Sequence, residues 1–139
     1  MLIEACDAEL LARPFDITQD KAIAFNRTAT QVHNLDLASA IRVAFTKVQP
    51  ANLDEIDVLR WIAANPGGTY QDAERAHGKG DLALIIGHLV YERFGCFRRF
   101  MVPGDDQSSV LLQKDRTGGR VRYTLKPEAY AVFCEIGVI

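Results

Sequence analysis

Apolar positions recur at helical spacing through most of the chain and switch to a strand-like alternation only in its last third. Residues 2–12 predict a short helix stopped by Pro14. A second helix starts near Asp16, where Asp16 and Gln19 resemble a capping pair and Ile17, Ile23, Ala24 and Phe25 give a rough apolar face. Residues 35–48 place Leu37, Ile41, Ala44, Phe45 and Val48 on one face, and Pro50 ends the run.

From Asn52 the punctuation is sharper. Asn52 with Glu55 makes an N-cap with a carboxylate three residues on, and Leu53, Ile56, Leu59, Ile62 and Ala63 follow at helical spacing. Asn65, Pro66, Gly67 and Gly68 break that helix. Thr69 with Asp72 opens a short second helix that ends at Gly78. Lys79 and Gly80 form a tight turn, and Asp81 can cap a third helix running to about Phe94, with Gly95 as a left-handed stop. The period then changes. CFRRFMV predicts a strand, GDDQSS a loop, and VLLQK and RVRYTL two strands joined by the glycine-bearing turn DRTGG. Pro127 suits the first position of a closing helix over residues 127–136, with Glu128 beside it favouring the positive helix end.

This order of helix, short helix, tight turn, helix and basic hairpin is the winged helix-turn-helix pattern. The stretch TYQDAERAHGKGDLALIIGHLVYERFGCFRRF resembles the helix-turn-helix of MarR-like and ArsR-like bacterial regulators, and TGGRVRYTLKPEAYAVF is similar to their wing, strand and following helix. The expected class is mostly α with a small antiparallel β-wing. Residues 51–139 would form the winged helix domain, and residues 1–50 a helical extension used for packing or dimerisation. The resemblance implies a double-stranded DNA partner and a homodimer, with the third helix in the major groove and the wing on backbone or minor groove.

Composition fits a globular chain. Of 139 residues, 48% are apolar and 24% charged, which argues against disorder. No apolar run reaches the ~20 residues a membrane span needs. The first residues carry acids where a secretory signal carries bases, so a cytoplasmic protein is expected. The net charge of −2 hides an asymmetry: residues 1–74 hold 6 bases against 11 acids, whereas residues 75–139 hold 10 against 7. The second half is the one suited to a polyanion, unless the difference is ordinary surface scatter.

Particular residues divide on the DNA reading. Between Val110 and Lys126 stand five bases, Lys114, Arg116, Arg120, Arg122 and Lys126, and one acid, Asp115. Arg116 and Arg120 flank the glycines of the tip, where long cations reach furthest. Arg matches phosphate with paired N–H groups. The same charges would also keep an edge strand soluble. Arg75 on the second helix and Lys79 in the turn are further phosphate candidates, although Arg75 could instead pair with Asp72.

The third helix agrees less well. Leu82, Ile85, Ile86 and Leu89 form its core face, leaving Leu84, Gly87, His88 and Tyr91 opposite. Only His88 and Tyr91 there can hydrogen-bond, and none of the usual base readers is present. The helix either docks by shape, with His88 and Tyr91 touching DNA, or presents an apolar stripe to another protein in a larger assembly. The closing helix is apolar almost all round. It needs burial on more than one side, by the N-terminal helices or by a dimer partner, and the dimer is preferred.

Catalysis is not expected. Cys6, Cys96 and Cys134 are far apart with no CxxC, and His33, His77 and His88 stand at no metal-ligand spacing. Ser108 and Ser109 have no His nearby in sequence, and Asp105 and Asp106 read as turn residues. No cofactor or metal is called for.

Overall fold

A computed structural model describes residues 35–139. The two helices expected within residues 2–33 lie outside the described residues.

Four of the six described α-helices start where a side chain supplies a cap. Asp36 accepts from the Ser39 N–H at 2.8 Å and opens α1 (Leu37–Val43), which loosens into a π-helical turn over Ala44–Val48. Asn52 and Glu55 close a reciprocal capping box on α2 (Leu53–Ala64), at 2.8 and 3.0 Å. Thr69 caps α3 (Tyr70–His77), and Gly78 ends it in the left-handed region at φ 70°. Asp81 caps α4 (Leu82–Tyr91). Pro127 stands in the first turn of α6 (Pro127–Glu135).

A three-stranded antiparallel sheet joins distant parts of the chain. β1 (Gly68–Thr69), between α2 and α3, pairs with β3 (Arg122–Leu125), which pairs on its other side with β2 (Leu112–Asp115). The register sets Asp115 opposite Arg122, so residues 116–121 form the hairpin tip. Gly118 and Gly119, both at φ 79°, take the positive dihedrals that this tip requires.

One core serves all of these elements. Ile41, Leu59, Leu82, Leu89, Phe97, Leu111 and Phe133 are buried together. α1 packs against α6. Phe45 meets Phe133 edge-to-face at 4.8 Å, and Arg42 grips Glu135 through two hydrogen bonds of 2.6 and 2.8 Å. Within the chain, α1 thus covers part of the apolar closing helix, while Tyr130 stays half-exposed.

Between α4 and β2 the structure departs from the sequence reading. CFRRFMV is not a strand: α5 (Phe94–Phe97) leads into a 3-10 turn over Arg98–Phe100. Consecutive Cys96 and Phe97 are buried and consecutive Arg98 and Arg99 exposed, a helical grouping that a strand's alternation cannot give. Gly95 is not a left-handed stop but a residue of α5, and α4 ends at Tyr91. Val110 belongs to a 3-10 turn over Gln107–Val110 that packs on α4, so β2 is shorter than VLLQK.

Candidate nucleic-acid interface

The β2–β3 hairpin and the outer face of α4 hold most of the residues singled out from the sequence, in different chemical states. Arg120 is exposed and forms no hydrogen bond or ion pair with the described residues. Arg116 is exposed, its guanidinium 3.9 Å from Asp106. Arg122 is exposed on β3 and donates to the Gly67 carbonyl at 3.2 Å, tying the hairpin to the loop after α2.

Lys114 behaves differently. Its side chain is only 5% exposed, and its ammonium donates to Asp106 at 2.6 Å and to the Ser108 hydroxyl at 2.5 Å. Ser108 in turn donates to Asp106 at 2.7 Å, and the Lys114 charge lies 5.8 Å from the centre of the Tyr123 ring. Burial pushes the Asp106 carboxyl up, but hydrogen bonds from Lys114 and Ser108 more than reverse this and hold it below the usual range. Lys114 is therefore turned inward as a bolt between β2 and the turn on α4. Asp106 had no visible partner in the sequence beyond its turn. The signal that could have found it is a buried-face lysine at strand position three, needing a carboxylate.

Arg75 pairs with Asp72 one turn earlier on α3, and Lys79 lies 3.5 Å from Asp54 on α2. Both cations are more than two-thirds exposed, so these pairs are weak and exchangeable. Beside them His77 packs its ring against α2. Its Nδ1 is 2.8 Å from Asp57, while its Nε2 is buried without a hydrogen-bond partner among the described residues, 4.0 Å from Asp54. It borders a shallow open cleft lined also by Asp57, Val58, Trp61, Ala73 and Ala76. Among the described residues no cluster of three or more His, Cys, Asp or Glu side chains could hold a metal ion.

On α4 the expected faces are present. Leu82, Ile86, Leu89 and Val90 are buried, and Ile85 is half-buried. Leu84 and Tyr91 remain 56% and 59% exposed, and His88 stacks on Tyr91 with ring centres 6.0 Å apart. Among the described residues no hydrogen bond or ion pair links either ring to the hairpin bases. Arg93, two residues past the end of this helix, is buried completely. It faces Glu55 at 3.0 Å and donates to the carbonyls of Gln49, Pro50 and Leu89. Its guanidinium also lies 3.9 Å over the Phe45 ring.

No protein-family model, curated protein or solved structure matches this chain. Among the described residues no helix is long and apolar enough to cross a membrane.

Proposed function

We propose that this chain is a winged helix-turn-helix protein that binds double-stranded DNA and regulates transcription, with α4 in the major groove and the β2–β3 hairpin on the backbone or minor groove. The observation that carries the reading is positional. A capped helix pair, α3 and α4, is joined by a tight turn and flanked by a sheet of order β1-β3-β2, whose hairpin ends in exposed Arg116 and Arg120. Lys114 ties that hairpin to the turn packed on α4. Arg75 and Lys79, in weak exposed pairs, can exchange their carboxylates for phosphate.

Duplex DNA titrated with the protein over a range of salt concentrations tests this. Replacing Arg116 and Arg120 together with Ala is expected to weaken binding and to reduce the salt slope by about 1.8, the loss of two phosphate contacts. Absence of retardation at low salt would overturn the reading. The apolar character of the α4 surface favours a second one, in which Leu84 and Tyr91 seat a protein partner in a larger assembly. A homodimer in solution is part of the first reading, with half-exposed Tyr130 on α6 available to it.

A further inference from the structure

The outward surface of α4 is unusual for a helix offered to DNA. The whole helix reads LALIIGHLVY, so it holds no Arg, Lys, Asn, Gln, Asp, Glu, Ser or Thr. The pairs of hydrogen bonds that distinguish guanine and adenine in the major groove come from Arg, Lys, Asn and Gln. α4 can form none of them. What it does present in its first turn is Ala83 and Leu84, both exposed, and one turn later Gly87. A Cβ built on Gly87 would meet no atom within 4 Å, so none of the described residues lies against the helix at that position. Two small residues and one long aliphatic side chain allow close approach of the backbone and offer a hydrocarbon contact.

The major groove carries one hydrocarbon feature, the methyl group on C5 of thymine. 5-Methylcytosine places a methyl group at the same ring position. We infer that α4 reads these C5-methyl groups, with Leu84 and Ala83 as the contacting side chains. Discrimination is then hydrophobic and comes from the helix, while affinity is electrostatic and comes from Arg116 and Arg120. His88 and Tyr91 add at most single hydrogen bonds. The exposed cations of the hairpin are what favour DNA over an apolar protein surface as the occupant of this face. The inference rests on the DNA-binding reading.

The test uses the full chain and four duplexes: alternating A·T pairs, the same duplex with deoxyuridine for thymidine, a G·C duplex, and that duplex with 5-methylcytosine. Binding at low salt is followed by fluorescence anisotropy. The methylated member of each pair is expected to bind more tightly, by about fourfold for each methyl group buried. Leu84→Asn should abolish the preference while leaving the salt dependence intact; Leu84 is exposed, so the variant should fold. The double Ala variant at Arg116 and Arg120 should weaken all four duplexes and keep the ratios. Equal binding within each pair, or a preference undiminished by Leu84→Asn, overturns methyl reading and leaves DNA binding standing. Failure of every duplex to bind overturns both and leaves a protein as the occupant of this face.

Discussion

Arg93 carries a large share of what single side chains do here. It is the bulkiest fully buried side chain among the described residues, and it joins α4 to α2 and to the chain between α1 and α2. Its charge is tolerable because Glu55 opposes it and three carbonyls take its remaining N–H groups. Glu55 serves twice, since the same carboxylate closes the capping box on α2. Removing one partner strands the other charge in the core. Arg93→Ala is expected to cost about 3–5 kcal/mol, read as a lowered urea midpoint, with Glu55→Ala close behind. A loss under about 1 kcal/mol would show that water enters and resolvates the survivor. Capping by Glu55 was legible from its spacing to Asn52. Its pairing with Arg93 was not, because the partners are 38 residues apart and nothing local marks either as buried. Close by, burial pushes the Cys96 thiol up to about 11, although the Arg93 charge pulls the other way.

At the scale of elements, backbone approach decides the position of β1. A Cβ on Gly68 would stand 2.6 Å from the Trp61 ring and 3.0 Å from the Asn65 carbonyl oxygen. Gly68 therefore lets the strand cross the end of α2 and pair with Tyr123. Gly68→Ala should displace Trp61 or open the β1–β3 pairing, at a cost of about 1–3 kcal/mol. Denaturant titration gives the cost, and a changed tryptophan emission would report which of the two yields. Cap and stop residues made the ends of α2, α3 and the start of α4 readable in advance, because each is satisfied within three residues. The segment from Arg93 to Phe100 was misread for a related reason. Its aromatic-rich composition suits a strand. Yet Arg93 is anchored in the core, and among the described residues no strand pairs with CFRRFMV; the chain closes hydrogen bonds locally in short helical turns instead.

For the molecule as a whole, acid should loosen the ties between elements. Asp36 is held below the ordinary carboxylate range by hydrogen bonds from Ser39, Asp115 by those from Thr117, and Glu135 by those from Arg42. Asp106 joins them through Lys114 and Ser108 despite its partial burial. In the unfolded chain such groups titrate near about 4. Depressed folded values mean that the unfolded state binds more protons. Their stabilisation is complete above that range and is lost as pH falls through the folded values. The urea midpoint should therefore drop from neutral pH to about pH 3. Glu135→Gln should start lower at neutral pH and drop less, since the tie between α1 and α6 is already weakened. An identical acid profile in wild type and variant would show that Arg42 and Glu135 contribute nothing in solution.

Period, caps and glycine positions in the sequence determined the five longer described helices, where most begin, and that a cationic hairpin ends in residues 116–121. These are short-range properties, fixed by hydrogen bonds and dihedral preferences within a few residues. Which cations remain available is a long-range matter. Lys114 looked equal to Arg116 and Arg120 in the sequence, yet folding brings Asp106 and Ser108 to it and turns it inward, while Arg120 meets no acid at all among the described residues. Partner and burial depend on segments that only the tertiary structure brings together, because Coulomb attraction and desolvation act through space and not along the chain.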